Sequence, residues 1–312
     1  MGGASAQIAF EPTAKMSKDH SNDLYKVSLR KLNGQQEERD VFVTTFLGFG
    51  ANKARDRYIE KYAPPHNVPF SDPCLNSGLQ TKEDEMEILG TGNFTDCYLR
   101  MPPLLNKDMV CHENPCLFNG VHAPIEDFGN HKFLGVSELW YTTSSAYDLG
   151  GPYNFEKIMM ASKKLCDTPW KNITDLIADN KLPHVDGPSR MKLQCFKSAY
   201  LMNFLHEGFG IPTTKSESLL ETIDDLSGFS VSWTLGAAFL LASSTIDPPN
   251  TLMINGTGHR YISVFFLVVI FALIVYYQLK SAKENVYTDL TRYHKDLESS
   301  FEEKDNVRGF YK

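Results

Sequence analysis

The chain opens with MGGASAQIAF, residues 1–10, in which two adjacent glycines precede small residues and then an alternation of apolar side chains. Glycines let the backbone approach a ligand closely, and consecutive N–H groups in such a turn can form a concave anion site. Ser5 adds a hydroxyl group, and Gln7 adds an uncharged amide that can hold a water molecule. Ile8 and Phe10 are spaced like the inward face of a strand. These ten residues alone fit an ordinary tight turn at least as well, so their interpretation depends on the rest of the chain.

Two β-rich runs follow, from Tyr25 to Leu32 and from Val41 to Phe46, on either side of the dipeptide Asn33-Gly34. That dipeptide tolerates positive φ at both positions and therefore predicts a β-hairpin. The second run leads through glycines into a predicted helix over Ala51–Ala63, which Pro64 ends. A strand, a glycine turn and a helix start could form a ligand edge, because helix N-termini attract anions. A plain β–α connection explains the same residues equally well.

Cysteine and glycosylation patterns indicate a secretory compartment. The six cysteines form no CxxC motif and no Cys/His cluster, so they favour disulfides over zinc. Three Asn-x-Thr sequons begin at Asn93, Asn172 and Asn255. The net charge of −7 argues against a nucleic-acid-binding protein, which usually carries a basic face.

Two further segments are predicted helices, Asn154–Cys166 and Arg190–His206. In the second, Phe196, Tyr200 and Phe204 recur at helical spacing and are expected to form core. His206-Glu207 resembles a fragment of a metal-binding motif, but the second histidine is missing, so a structural function is favoured.

An unbroken apolar run from Tyr261 to Tyr277, extended to Leu279, approaches the ~20 residues that cross a bilayer. Tyrosines at both ends resemble an aromatic belt. A buried core helix is the alternative. The sequence thus predicts a transmembrane helix over 261–279, after a Pro/Asn-rich linker at 247–260.

The charges around this run predict its orientation. Lys280 and Lys283 follow the run and Arg260 precedes it, which points the charged tail 280–312 to the cytosol and residues 1–258 to the lumen. Met1 starts no recognisable signal peptide. The chain is therefore expected to start inside a longer protein whose upstream part carries the signal or anchor.

Seven short motifs occur in a fixed order along the chain: GGASAQIAF (2–10), TFLGFG (45–50), DPCLNSG (72–78), GTGNFTDC (90–97), LFNGV (117–121), QCF (194–196) and SWTLGAA (232–238). This ordered set resembles the apyrases, the nucleoside triphosphate diphosphohydrolases, and in particular their Golgi and lysosomal branch. The resemblance spans residues 1 to about 245.

The resemblance implies an α/β, actin-like (ribonuclease H-like) fold of two lobes with a nucleotide in the cleft. Residues 1–229 would form most of the second lobe, and 230–246 would return to the first lobe. It also implies a divalent cation, Ca²⁺ or Mg²⁺, and direct attack of water on the terminal phosphate. Such a reaction needs positioning and charge neutralisation more than a side-chain nucleophile.

The resemblance also assigns the residues at the phosphates. Gly2, Gly3, Ala4 and Ser5 would bind the phosphate groups. Ser5 and Gln7 would orient the attacking water, and Gln7 would hold the metal indirectly, through water.

On the nucleoside side, the resemblance places Tyr141 against the base and Asn52 at the ribose, where relatives often carry an acidic residue. Arg190 and Gln194 would complete the nucleoside site. A flat base stacked on an aromatic ring contributes ~1–3 kcal/mol. The disulfide pattern implied by the family is Cys74–Cys97, Cys111–Cys116 and Cys166–Cys195.

The family's general base and first phosphate loop would lie upstream of Met1. The chain is therefore expected to be the C-terminal part of a nucleoside di- and triphosphate phosphohydrolase, inactive by itself. Its expected location is a secretory-pathway membrane, the Golgi or else the lysosome or cell surface. The alternative is a non-enzymatic single-pass membrane protein whose lumenal interaction domain derives from an apyrase. The sequence does not indicate an oligomeric state.

Overall fold

The computed structural model of the chain describes residues 1–30, 35–65, 68–83, 85–125, 127–182, 187–245, 270, 273 and 275–280. The chain divides into two compact units, Met1–Ile246 and Asp247–Lys312. Of the predicted membrane span at 261–279, only residues 270, 273 and 275–279 are described, and they are helical. Among the described residues, no helix reaches the length and apolar character needed to cross a bilayer. The predicted linker 247–260 and the tail after Lys280 lie outside the described residues.

The first unit alternates short strands and helices. Its strands are β1 (Ser5–Phe10), β2 (Leu24–Arg30), β3 (Gln36–Leu47), β4 (Phe70–Asp72), β5 (Gln80–Glu83), β6 (Met86–Gly90), β7 (Phe133–Gly135), β8 (Gly151–Pro152), β9 (Leu220–Thr222), β10 (Asp225–Leu226) and β11 (Phe229–Ser230). Its helices are α1 (Ala14–Asp19), α2 (Ala51–Tyr62), α3 (Phe94–Leu99), α4 (Glu138–Tyr147), α5 (Phe155–Cys166), α6 (Trp170–Ala178), α7 (Pro188–Met191), α8 (Gln194–Asn203), α9 (Ser216–Leu219) and α10 (Trp233–Thr245). The described strands form small sheets in the orders β1-β3-β2, β4-β6-β5, β7-β9-β8 and β10-β11. The α/β class expected from the sequence is confirmed.

The opening residues form the edge strand β1 of the first sheet. β1 pairs antiparallel with β3, from Ser5 opposite Leu47 to Phe10 opposite Phe42. Ala6, Ile8 and Phe10 are buried while the residues between them are more exposed, so the predicted inward face is confirmed. Because side chains alternate across a strand, Ser5 and Gln7 share the opposite face.

The predicted hairpin is also present. β2 and β3 pair antiparallel, from Leu24 opposite Phe42 to Arg30 opposite Gln36, although the predicted turn Asn33-Gly34 lies outside the described residues. After β3 the helix α2 begins at Ala51, as predicted, and ends one residue before the predicted boundary, with Ala63 as its C-cap.

The core is built around α8, whose residues are all buried except Lys197. It packs against α2, α3, α4 and α5, and the predicted core residues Phe196, Tyr200 and Phe204 are 2% exposed or less. The single helix predicted over Arg190–His206 is wrong in detail. The backbone leaves helical geometry at Leu193 (φ −102°, ψ 11°) and separates α7 from α8, and Phe204–Gly208 forms a π-helical turn.

A buried ion pair fixes α2 to the second sheet. Arg55 of α2 lies 2.6 Å from Asp72 at the end of β4, and both side chains are almost fully buried. Tyr58 donates a 2.8 Å hydrogen bond to the other Asp72 oxygen, and Glu83 of β5 lies 3.0 Å from the guanidinium. Burial by itself would lower the pKa of Arg55, but the carboxylates of Asp72 and Glu83 outweigh it and raise that pKa. The carboxylates therefore keep the buried guanidinium charged.

The structure contains three disulfides, Cys74–Cys97, Cys111–Cys116 and Cys166–Cys195. They are the same pairs that the family resemblance implies. Cys74–Cys97 joins the loop after β4 to α3, and Cys166–Cys195 joins the end of α5 to the first turn of α8. Two covalent links thus reinforce the packing around the central helix.

Candidate functional site

The glycine turn before β1 is held by the start of α2. The Gly2 N–H donates to the Ser5 carbonyl at 2.9 Å and closes the turn. The Ala51 N–H donates to the Gly2 carbonyl at 2.9 Å, and the Asn52 N–H donates to the Gly3 carbonyl at the same distance. The first donors of α2 are therefore occupied, so of the two interpretations of this segment the structure supports the plain β–α connection rather than an open helix terminus.

The same arrangement leaves donors of the turn available. Within the described part of the chain, the N–H groups of Gly3 and Ala4 have no backbone acceptor. Both residues precede the β1 ladder, and the Ala4 carbonyl accepts from the Gly48 N–H at 2.9 Å. Two adjacent unused amide donors in a glycine turn are the elements of an anion site.

Close backbone contacts explain two of the glycines. A Cβ atom at Gly50 would lie 2.4 Å from the Ser5 nitrogen and 2.5 Å from the Gly2 oxygen. A Cβ atom at Gly3 would lie 2.8 Å from Nδ2 of Asn52. Side chains at either position would therefore displace the turn or the residues around it.

Ser5 and Gln7 form a direct side-chain pair on the outer face of β1. Nε2 of Gln7 donates a 2.7 Å hydrogen bond to Oγ of Ser5. Gln7 is exposed and Ser5 is half-buried. The hydrogen of the Ser5 hydroxyl and the Gln7 carbonyl oxygen remain available for further hydrogen bonds. The pair can thus position a small polar ligand such as water.

Three of the four residues predicted at the nucleoside come together in one pocket of about 230 Å³. It is lined by Glu138, Tyr141, Ser145, Arg190, Met191, Gln194 and Lys197. The Arg190 guanidinium lies 4.8 Å from the centre of the Tyr141 ring, and Tyr141 is partly exposed. A cation over an aromatic face marks a surface that also suits a planar ligand.

Gln194 forms the buried floor of this pocket. Its Nε2 donates to the Thr142 carbonyl at 2.8 Å, and its side chain is 4% exposed. This hydrogen bond ties the amide to α4. Asn52 does not line the pocket. It lies beside Gly3 instead.

Glu138 and Lys197 are residues that sequence reasoning missed. Nζ of Lys197 lies 2.7 Å from Oε1 of Glu138 at the wall of the pocket, and both side chains are about four-fifths buried. Lys197 is the one charged residue of α8 and the one residue of that helix that is not buried. A single lysine within a buried helix is the sequence signal that could have identified it. The Glu138 N–H also donates to the Met1 carbonyl at 3.1 Å. The start of α4 therefore links the glycine turn to the Tyr141 pocket.

A larger cavity of about 580 Å³ lies along β1, and Gln7 is one of its lining residues. Its walls include residues 6–11 at β1 and its end and residues 131–135 around β7. The segment after α8 contributes Phe204, Leu205, Phe209 and Ile211. Most of its lining is apolar, as in typical small-molecule pockets, and its polar members are Gln7, Glu11, His131 and Lys132.

His206 is a structural residue here. Its Nδ1 donates to the Ile211 carbonyl at 2.6 Å, and the Tyr153 hydroxyl lies 3.1 Å from its Nε2. Burial lowers the pKa of His206. Both ring nitrogens are occupied by protein groups, which supports the structural interpretation over metal binding.

Two of the three predicted glycosylation sites are accessible. Asn93 and Asn172 are exposed. Asn93 also caps α3, because its Oδ1 accepts from the Asp96 N–H at 3.1 Å. Asn255 lies outside the described residues.

Comparison with known proteins places the chain among nucleoside phosphatases. The profile of the GDA1/CD39 (nucleoside phosphatase) family matches residues 1–253. The Golgi apyrase of Saccharomyces cerevisiae is 39% identical over 79% of this chain and 43% of that protein. The Golgi apyrase of Schizosaccharomyces pombe is 36% identical over 78% of this chain and 46% of its own length. A nucleoside-diphosphatase of Caenorhabditis briggsae is 32% identical over 91% of this chain and 54% of its own length.

A solved structure agrees at the level of the fold. A nucleoside triphosphate hydrolase from Neospora caninum superimposes with a TM-score of 0.51 at 15% identity, over 78% of this chain and 56% of that chain. The chain spans less than half the length of the two Golgi apyrases it matches. With the family profile matching four-fifths of its residues, the chain belongs to the GDA1/CD39 (nucleoside phosphatase) family.

Proposed function

We propose that this protein hydrolyses nucleoside di- and triphosphates by attack of water on the terminal phosphate. One observation carries the proposal: the N–H groups of Gly3 and Ala4, which have no backbone acceptor among the described residues, lie directly before the Ser5–Gln7 side-chain pair. The two N–H groups can bind a phosphate, and the side chains of Ser5 and Gln7 can hold the water that attacks it.

The glycine turn supplies charge stabilisation. The N–H groups of Gly3 and Ala4 would donate to oxygens of the terminal phosphate, with Gly2 and Ser5 completing the turn. Fixed donors aimed at developing negative charge stabilise a transition state without reorganising during the reaction. The contacts from Ala51 and Asn52 hold the turn in place for this purpose.

Ser5 and Gln7 would position the attacking water. Both side chains carry neutral oxygen atoms, which suit a hydrated divalent cation, Ca²⁺ or Mg²⁺, held through water by Gln7. When bound, that cation would neutralise phosphate charge. The hydrogen bond between the two side chains fixes their relative orientation, so both can act on one water molecule.

The pocket around Tyr141 would take the nucleoside. The base would stack on the ring of Tyr141. The Arg190 guanidinium, which lies 4.8 Å from the centre of that ring, would pack against the base. Gln194 would support the pocket from below, and Asn52 would contribute from the side of the glycine turn. The link from Glu138 to Met1 supports one ligand spanning both places.

In architecture, residues 1–229 would form one lobe of an actin-like, ribonuclease H-like fold, and residues 230–246 would pack on the other lobe. Exposed apolar side chains support this arrangement, because Trp233 of α10 is 83% exposed and Phe229 of β11 is 71% exposed. Exposed apolar side chains that are grouped in one segment mark surfaces that pack against protein.

We further propose a Golgi location, with residues 1–258 in the lumen, a membrane helix at 261–279 and a cytosolic tail at 280–312. Three disulfides and two exposed sequons, at Asn93 and Asn172, support a lumenal position of the first unit. The names of the yeast relatives support the organelle.

Phosphate release tests the proposal. Nucleoside di- and triphosphates are offered with Ca²⁺ or Mg²⁺ to the 312-residue chain and to the longest natural product of its gene. We expect the longest natural product to release phosphate in a cation-dependent reaction that falls sharply in Gln7→Ala. Release that is unchanged in both Gln7→Ala and Ser5→Ala would show that the site is elsewhere. Binding without any release from either form would favour a non-enzymatic nucleotide-binding protein.

A further inference from the structure

A second cluster of polar side chains lies at the other end of β1. It consists of His20, Asp23, Glu113 and His122, and one ligand atom from each lies within 4.8 Å of all the others. The residues come from the segment after α1 and from the region that contains the Cys111–Cys116 disulfide. We propose that this cluster is a structural zinc site.

The histidine nitrogens point to a ligand. Nδ1 of His20 and Nε2 of His122 are buried atoms that have no hydrogen-bond partner within the described chain. The side chains are 14% and 16% exposed, respectively. Buried polar nitrogens without partners are costly, and a cation at the centre of the cluster would satisfy both of them.

The hydrogen bond on the far side of one ring fixes its orientation. Nδ1 of His122 lies 2.9 Å from the Glu113 carbonyl. A carbonyl can only accept, so Nδ1 donates this bond and directs Nε2 into the cluster, where the neutral ring would offer its lone pair to a metal. Metal-bound histidines commonly donate their other N–H to a carbonyl or carboxylate in this way.

The spacing of the ligand atoms fits a metal better than an ion pair. Nδ1 of His20 lies 3.6 Å from an Asp23 oxygen and 3.5 Å from a Glu113 oxygen. Nε2 of His122 lies 3.5 Å from the same Asp23 oxygen. Charge-assisted hydrogen bonds are ~2.7–2.9 Å long, whereas ligands ~2.0 Å from a tetrahedral zinc are ~3.3 Å apart. These three distances are too long for short hydrogen bonds and close to the spacing of zinc ligands.

The chemistry of the set favours zinc among common cations. Metal ligands bind in their deprotonated form, so two imidazoles and two carboxylates would bring a charge of −2 to the metal, which one divalent cation balances. Imidazole nitrogen suits zinc, whereas Mg²⁺ and Ca²⁺ prefer all-oxygen sites. Four protein ligands and no open position are typical of a structural zinc site.

The site is separate from the proposed phosphate site. The His122 ring lies 6.4 Å from the ring of Phe42, and Phe42 pairs with Phe10 at the last position of β1. Ser5 begins the strand five residues earlier, about 17 Å away along the strand. A cation at the histidines would not touch the phosphate turn. It would instead fasten the disulfide loop and His122 to the segment between β1 and β2.

Metal binding to the intact 312-residue chain tests the proposal. The protein is prepared without a histidine tag, treated with EDTA, dialysed and titrated with Zn²⁺ alone. We expect one zinc per chain, and a rise in Tm of about 5 °C or more when free zinc is 100-fold above Kd. Ca²⁺ and Mg²⁺ should give no comparable shift.

Variants locate the metal. Loss of a group that only supports a metal ligand weakens metal binding by up to ~100-fold. Loss of a ligand should cost at least as much, so His20→Gln and His122→Gln should each weaken zinc binding ~100-fold or more. His112→Gln alters an exposed histidine of the same disulfide loop and should bind as the wild type does. Gln7→Ala should also keep its zinc, so a failure of the proposed phosphatase site leaves this test intact.

The outcomes that overturn the proposal are specific. They are no zinc bound to the EDTA-treated wild type, or unchanged affinity in both histidine variants. If those variants fail to fold, Co²⁺ is bound to the wild type and its visible spectrum is recorded. Intense bands of tetrahedral cobalt support the site, whereas the weak bands of six-coordinate cobalt contradict it.

Discussion

Nε2 of Gln7 donates a 2.7 Å hydrogen bond to Oγ of Ser5 on the exposed face of β1. Gln7 is exposed to solvent, and Ser5 directly follows the two residues of the glycine turn whose N–H groups have no backbone acceptor among the described residues. An exposed polar pair of this kind contributes little to folding, so its effect should appear in catalysis.

Gln7→Ala should therefore lower phosphate release without affecting stability. We expect a loss of about 100-fold in kcat, the cost of removing one preorganised polar group from a reaction centre. The free energy of unfolding should change by less than ~0.5 kcal/mol, because the side chain is exposed. Gln80→Ala removes another exposed strand glutamine and should leave the rate unchanged. Equal rates in the two variants would contradict the assignment of Gln7.

Gly50→Ala should distort the turn from behind. The added Cβ would lie 2.4 Å from the Ser5 nitrogen, so the backbone of the turn must move. We expect a loss of ~1–3 kcal/mol in stability, the usual cost of overpacking, together with weaker nucleotide binding. Gly2→Ala is the matched control in denaturation experiments, because its Cβ would meet nothing closer than 3.8 Å. A fully stable Gly50→Ala protein would show that the contact is not close in solution.

Tyr141→Ala should weaken nucleotide binding, while Tyr141→Phe should preserve it. Stacking on the ring is worth ~1–3 kcal/mol per base, which corresponds to roughly a 5- to 150-fold change in Kd. Competition titration with a fluorescent nucleotide measures the change. A loss in the phenylalanine variant equal to that in the alanine variant would assign the effect to the hydroxyl group and contradict stacking.

Short sequence patterns predicted those parts of the site that lie within a few consecutive residues. The glycines, Ser5 and Gln7 occupy the turn and strand that the first ten residues indicate, because alternation and glycine content act over a few residues. The helix from Arg190 was predicted without its break at Leu193. The apolar periodicity runs through that position, and only tertiary packing decides where α8 begins.

Contacts between distant segments were not predictable in this way. Arg55 pairs with Asp72 in the buried core, yet nothing in the sequence distinguishes this arginine from Arg57 of the same helix. His20 and His122 are about a hundred residues apart, and their rings lie 4.8 Å from each other. Pairings of this kind follow from the fold and not from spacing, so one sequence by itself does not reveal them.

Arg55→Leu should destabilise the protein far more than its position on a surface helix suggests. It leaves the carboxylate of Asp72 buried without its charge partner, which costs ~3–5 kcal/mol. Lys53→Ala on the same helix removes an exposed pair with Asp56 and should cost less than ~1 kcal/mol. Urea denaturation of both variants measures the difference. Similar midpoints would show that the Arg55–Asp72 pair adds nothing beyond a surface ion pair.

Stability should fall as the pH drops below about 6.5, because His206 is held neutral in the folded chain. Burial lowers its pKa, whereas the unfolded histidine titrates near ~6.5. Between these two pKa values the unfolded chain binds a proton that the folded chain does not, so acid favours unfolding. Above about pH 7 both states are neutral and the contribution is complete. Below the lowered pKa the loss reaches its limit.

Thermal unfolding between pH 5 and 8 measures this effect, with His206→Gln as the variant that removes the titration. Its Tm should depend less on pH over that window than the Tm of the wild type. His112→Gln, at an exposed position, should keep the wild-type dependence. The Tyr153 hydroxyl and the Ile211 carbonyl hold the neutral ring from both sides. A variant at His206 with the full wild-type slope would therefore place the acid sensitivity at another group.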